Sequence, residues 1–298
     1  MATQAEPYSA PRRNAAGGCL YLVATPIGNL EDITLRALRV LKEVDLIACE
    51  DTRRTAKLLN HYGIHKREKS YHQHNEMVRA AELVLEMEQG ARVALVSDAG
   101  LPGVSDPGHH LVSLAIRHGI PVVPVPGPTA FSAALSASGL ATDNFHFVGF
   151  LPATRTQRRK ALKPLVETAG TLIFYEAPHR ITNSLADLAA LLGDRPAVLA
   201  REVTKVHEEF LRGRLPQLAA TVKKRTLKGE ITVLVGPPDE LTRKQPRKRE
   251  VSIRRLVERV QKQKKLDLKG ALKQVARELG LSRSEAYRRL QEEKVLEE

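Results

Sequence analysis

Val93-Ala-Leu-Val96, followed directly by Ser97-Asp-Ala-Gly-Leu-Pro-Gly-Val-Ser-Asp-Pro-Gly108, decides how this chain is read. The four apolar residues form a short run of the kind that makes a buried strand. The next twelve hold three glycines, two prolines and two aspartates, which makes a long, stiff strand-exit loop. Such a loop adds nothing to a core, and an ordinary connection needs only about two to six residues. Its use is to bring backbone close to a small molecule. In α/β sheets ligands sit outside the carboxyl ends of the strands, where this loop falls.

Working outward, the same strand-then-helix alternation continues on both sides. Leu20–Ala24 reads as a strand closed by Thr25-Pro-Ile-Gly-Asn29, with a helix starting near Asp32 or Thr34. Asp45–Cys49 is a strand closed by Glu50-Asp-Thr-Arg-Arg54, and helices are expected over Thr55–His61 and Glu76–Gln89. Helix His109–His118 and strand Val122–Val125 complete a first unit, which ends at Pro126-Gly-Pro128. The pattern then repeats, with strands at Phe145–Phe150, Thr171–Tyr175, Ala197–Arg201 and Glu230–Val235. Helices are expected between them at Thr129–Gly139, Arg158–Ala169, Ile181–Leu192 and Leu215–Lys224. The expected fold class is therefore α/β, with two α/β domains, a cleft between them, and a small basic helical C-terminal domain. The boundaries fall at 1–18 (a disordered tail), 19–127, 128–238 and 239–298.

The last of these carries 18 Lys+Arg against 11 Asp+Glu, more than half of the chain's +13 surplus. A basic appendage on a mildly basic body points to a polyanionic partner. Within it, Leu268–Leu279, Gly280 and Ser282–Leu290 read as a helix, a tight turn and a helix, with Ser282 as N-cap. Arg283, Arg288 and Arg289 on the second helix are candidate RNA contacts, or else the hairpin mediates assembly. Aromatic residues are 4% with no tryptophan, which argues against a stacking platform for single strands. No apolar run reaches the length of a membrane span, so no membrane partner is expected. The two cysteines, Cys19 and Cys49, have no metal-ligand spacing, which fits a reducing cytoplasm.

Four loops compete for the cleft: 25–29, 50–54, 97–108 and 126–130. None is a P-loop or a dinucleotide fingerprint, which disfavours nucleotide hydrolysis and nicotinamide chemistry. Their order along the chain resembles the tetrapyrrole methylase superfamily of S-adenosylmethionine-dependent methyltransferases. More narrowly, it resembles the bacterial small-subunit ribosomal RNA methyltransferase I family, ribose 2′-O-methyltransferases of a decoding-centre cytidine in 16S rRNA. The motifs that carry the resemblance are VATPIGNLEDITLRAL (23–38), ACEDTR (48–53), SDAGLPGVSDPG (97–108), PGPTA (126–130), FVGFLP (147–152), FYEAPHRI (174–181) and AREVTKVHEE (200–209). Relatives that methylate tetrapyrroles carry a Gly-rich first loop where this chain has Ala-Thr-Pro-Ile-Gly-Asn, which places the sequence on the RNA side. Leu101, Thr129 and Val203 are small departures from the family's usual Thr, Ser and Leu.

The resemblance implies S-adenosylmethionine in the cleft, a homodimer, and 16S rRNA within the small ribosomal subunit as partner. It places the cofactor contacts at Pro26, Asp98, Ala99, Leu101, Thr129, Ala130, Tyr175 and Ile231. Thr129 and Ala130 at a helix start would offer N–H groups to a carboxylate, and Asp98 would take ribose hydroxyls or the ammonium. Asp98 reads alternatively as a carboxylate capping its own turn. Catalytic candidates are Glu50, Asp51, Arg53 and Lys205, weighed against an internal ion pair of Asp51 with Arg53 or Arg54. His72 and His74, Arg158 and Arg159, and Arg180 are candidate RNA contacts, and the histidine spacing gives no metal site. A tetrapyrrole C-methyltransferase and a non-catalytic nucleic-acid-binding protein are the rival readings.

Overall fold

A computed structural model describes residues 17–238, 253–264, 266–278 and 281–295. Residues 1–16 of the expected 1–18 tail, and 239–252 with the basic linker, lie outside the described residues. Two compact units divide the chain, Met1–Pro238 and Asp239–Glu298.

The first unit opens with a five-stranded sheet in the order β3-β2-β4-β1-β5. Its strands are β1 (Cys19–Val23), β2 (Leu46–Cys49), β3 (Arg67–Ser70), β4 (Arg92–Val96) and β5 (Val122–Val125), and every pairing is parallel. Helices α1 (Leu35–Glu43), α2 (Thr52–His61), α3 (Glu76–Glu88) and α4 (His109–Arg117) cover both faces. The side-chain period of two divides each strand cleanly. Leu46 and Ala48 pack with Leu83, Met87 and Leu111 from α3 and α4, while Ile47 and Cys49 pack with Val40, Leu41 and Leu59 from α1 and α2. Because β1 lies between β4 and β5, the loops leaving these three strands open side by side at one edge.

The second sheet runs β6-β7-β10-β8-β9, over Phe145–Phe150, Thr171–Glu176, Ile231–Val235, Pro196–Arg201 and Glu209–Arg214. It is mixed, because β10 pairs antiparallel with both β7 and β8. Helices α6 (Arg155–Leu162), α7 (Ile181–Leu192) and α8 (Leu215–Lys223) cover one face through Leu162, Leu185, Leu188 and Leu218. Helix α5 (Ala130–Ser138) covers the other, against Ile173, Val198, Ala200 and Leu234.

Several elements differ from expectation. Strands β3 and β9 went unseen because Arg67-Glu-Lys-Ser70 and Glu209-Phe-Leu-Arg-Gly-Arg214 are charged. Both are sheet edges, where charge is tolerated and blunts further pairing. Helix α2 starts at Thr52 rather than Thr55, because Asp51 caps it. Helix α6 starts at Arg155 and gives way at Leu162 to a 3₁₀ turn over Lys163–Glu167, with Pro164 near its start. The second unit holds α9 (Ile253–Lys264), α10 (Leu268–Glu278) and α11 (Arg283–Val295). Helix α9 was not expected, and its Ile253, Val257 and Val260 share a core with Val275, Ala286 and Leu290. Ser282 does cap α11, accepting from the Glu285 N–H at 3.2 Å, and Leu279-Gly280 lies outside the described residues.

Candidate functional site

Two of the adjacent strand-exit loops, those after β1 and β4, are tied to one another before they meet any ligand. Thr25 and Gly100 exchange backbone hydrogen bonds at 2.9 and 3.0 Å. The Thr25 hydroxyl donates to Ser97 O at 3.1 Å, and the Ser97 hydroxyl donates to Gly100 O at 3.1 Å. Gly100 holds φ +88°, a conformation that a side chain would strain. These bonds hold the β1 and β4 loops as one rigid lip.

Between that lip and the second sheet lies a cavity of about 330 Å³, within the range of small-molecule sites. Asp98, Ala99, Leu101, Thr129, Ala130, Tyr175 and Ile231 all line it. Pro26 does not; it borders a smaller neighbouring recess. Among the other lining residues, Arg54, Asp106, Phe150 and Glu230 were not expected as cofactor contacts.

The electrostatics of this cavity are acidic. Asp98 is held from two sides: Oδ1 accepts the Asp51 N–H at 3.1 Å and Oδ2 pairs with Arg54 Nη1 at 3.1 Å. It therefore joins two loops rather than capping its own turn. Burial, with the negative charges of Glu50 and Asp98 beside it, pushes the Asp106 carboxyl up to about 7. Glu50 is also raised, by burial and by Asp98, although it does not line the cavity. The Tyr175 phenol is pushed up to about 12, chiefly by burial. It stays neutral and accepts a hydrogen bond from the Phe131 N–H at 3.1 Å, in the first turn of α5.

The remaining candidates have other placements. Asp51 caps α2 and forms a two-point pair with Arg53, at 3.1 and 3.0 Å. The sequence had left open whether that partner was Arg53 or Arg54; the structure assigns Arg53 to Asp51 and Arg54 to Asp98. Lys205 Nζ pairs with Glu202 at 2.9 Å and with the cavity residue Glu230 at 3.1 Å. Burial alone would lower its ammonium, but these two carboxylates hold it above the usual lysine range, so Lys205 is a charged anchor and not a base. His72 sits against Asn75, with Nε2 3.1 Å from Nδ2, and its ring lies 5.9 Å from that of His74.

Two of the expected RNA contacts require correction. Arg158 is 3% exposed and bonds Asp187 through Nε at 2.8 Å and Nη2 at 2.7 Å, so it ties α6 to α7 and does not face solvent. Arg180 turns inward to Glu176 at 3.3 Å and donates to Leu151 O. Arg159 is more open and lies 3.9 Å from Asp187. Arg288 pairs with Glu285 at 2.9 Å, while the side chains of Arg283 and Arg289 lie outside the described residues.

The likeness to known proteins covers most of the two-sheet unit. Residues 19–219 match the family described as Tetrapyrrole (Corrin/Porphyrin) Methylases. A ribosomal RNA small subunit methyltransferase I from Halalkalibacterium halodurans is 52% identical over 218 residues, covering 73% of this chain and 75% of that protein. One from Escherichia coli O157:H7 is 51% identical over 221 residues, covering 73% and 77%. Among solved structures, uroporphyrin-III C-methyltransferase from Thermus thermophilus, complexed with S-adenyl homocysteine, superposes with a TM-score of 0.55. It is 24% identical and covers 76% of this chain and 99% of its own, which supports the fold. With the family model matching residues 19–219 and about half of the aligned residues identical over some three quarters of the chain, the chain belongs to the tetrapyrrole methylase family, in the ribosomal RNA small subunit methyltransferase I group.

Proposed function

We propose that this protein transfers a methyl group from S-adenosylmethionine to the ribose 2′-hydroxyl of a cytidine in the decoding centre of 16S rRNA, acting on the small ribosomal subunit. The observation that carries the reading is the cavity between the sheets, walled by the same loops that resemble the RNA-directed branch. Its donor set fits the methyl donor. The first turn of α5 has N–H groups without intrahelical partners and a positive dipole end, suited to a carboxylate. Asp98 and Glu230 supply acceptors for hydroxyls or an ammonium, and Ile27, Leu101, Val203 and Ile231 supply an apolar wall for a flat ring.

When bound, S-adenosylmethionine supplies a methyl already activated by positive sulfur, so positioning supplies most of the rate. The chain's own task is then to hold two ligands in line and to take the hydroxyl proton. Asp106 is the lining carboxyl best matched to that proton, because a group titrating near 7 is an effective base at neutral pH. Glu50, Asp51 and Arg53 support the site from outside the lining; Asp51 does so by donating its N–H to Asp98. A pair of copies, which the family resemblance implies, is supported by edge strand β6 with its exposed Phe145.

The test is to incubate the full chain with labelled methyl donor and small subunits from a strain lacking the modification, then map the label. Incorporation at a single cytidine ribose supports the reading. Label confined to a base, to protein or to an added tetrapyrrole overturns it.

A further inference from the structure

Beside the cavity lies a recess of about 270 Å³, and among the described residues only Arg54 and Asp98 border both. Its walls are Thr25, Pro26 and Leu30 from the β1 loop, Arg54, Thr55, Lys57 and Leu58 from α2, and Ser97 and Asp98 after β4. These walls are fixed in advance. Besides the Thr25–Ser97–Gly100 bonds, the Tyr62 hydroxyl donates to Leu30 O at 2.6 Å and pins the far side of the loop. The apolar surface inside is unusual for a water-facing hollow: Leu30 stays 40% exposed, beside Pro26 and Leu58.

Charge in the recess is unbalanced. The only carboxylate in its lining, Asp98, is already engaged by Arg54 and by the Asp51 N–H. Lys57, exposed at the rim, makes no ion pair among the described residues. A small apolar surface with an uncompensated ammonium at its rim matches a nucleotide, with the base in van der Waals contact with that surface and the phosphate at the cation. The shared Arg54–Asp98 wall makes the two hollows neighbours, as transfer between two bound ligands requires.

We propose that this recess seats one ribonucleotide of the RNA that accepts the methyl group, with Lys57 on its phosphodiester and its base against Leu30 and Leu58. The inference rests on the RNA-methylation reading and adds to it a substrate subsite. It is tested with the full chain, small subunits lacking the modification, and labelled methyl donor. Lys57→Gln is expected to raise KM for subunits on the order of tenfold, the value of one charge-assisted contact, with kcat changed far less. The slope of log kcat/KM against log salt should fall by about 0.7–0.9, the signature of one phosphate. Lys57→Arg should restore both, and calorimetric affinity for the methyl donor should stay within about twofold of wild type. Leu58→Glu, which puts a carboxylate into the recess, should raise KM further. Unchanged KM and salt slope in Lys57→Gln, with an active wild type, overturn the subsite and leave the RNA reading standing. An equal loss of methyl-donor affinity also overturns it, because the recess would then belong to the cofactor. A wild type inert on subunits overturns both readings.

Discussion

The Tyr175 hydroxyl accepts a hydrogen bond from the Phe131 N–H at 3.1 Å, joining β7 to the first turn of α5 across 44 residues of sequence. Alternation along β7 is the reason. Leu172 and Phe174 face α7 and α8, so Ile173 and Tyr175 face α5, where a phenol reaches the open end of a helix. One orphan donor is satisfied by a side chain that also lines the cavity. Tyr175→Phe should therefore leave that N–H unpaired and cost about 1–3 kcal/mol in chemical denaturation. Methyl-donor affinity measured by calorimetry should fall alongside, since the α5 start loses its anchor.

Asp106 makes stability depend on pH. Its carboxyl is raised to about 7 by burial and by Glu50, Asp98 and Glu230, so the folded chain retains a proton that the unfolded chain releases near 4. Within that window the folded state binds more protons, and stability falls as pH rises from about 4 through 7. Asp106→Asn should abolish that fall and melt above wild type at pH 8, by roughly 2–4 °C for each kcal/mol recovered. The same variant should lose about 10²–10⁴-fold in methyl transfer while still binding the donor, if Asp106 is the base. Thermal melts across pH and single-turnover assays check the two halves separately.

Gly28 is the point where the first loop meets the second sheet's domain. A Cβ there would lie 2.3 Å from Lys205 Cγ and 2.7 Å from Thr204 Oγ1. Gly28→Ala should wedge the lips of the cavity apart, costing about 1–3 kcal/mol in denaturation and weakening methyl-donor binding. Equal stability and affinity in the variant would show that the loop gives way freely.

Arg158 and Asp187 are both nearly fully buried. Asp187→Ala strands the guanidinium and should destabilise by about 3–5 kcal/mol. Arg158→Met, which keeps the packing stem, should leave the salt dependence of subunit methylation unchanged. A shallower slope would return Arg158 to the RNA surface.

Most of the element order was legible because period and punctuation are local. Runs such as Leu20–Ala24 and Ile231–Val235 are closed by Gly or Pro, and helix starts such as Thr34 carry their own cap, here from the Ala37 N–H at 3.0 Å. The elements that escaped, β3 and β9, are edges whose polar residues obey no burial period. Cavity residues split along the same line. Asp98, Thr129 and Tyr175 were found through motifs, whereas Asp106, inside the 97–108 motif, and Arg54, one residue past the 48–53 motif, join the cavity only where the chain curls back.

By itself, then, the sequence determined the two α/β halves, the loops that face the cavity and the family, since each depends on residue type at short spacing. Only the tertiary structure decided which charges meet. Arg53 and Arg54 are neighbours in the chain, yet one closes on Asp51 at its own helix cap and the other crosses to Asp98 in the loop after β4. That choice depends on helical direction and strand order, which bring distant groups within 3–4 Å and which no local spacing encodes.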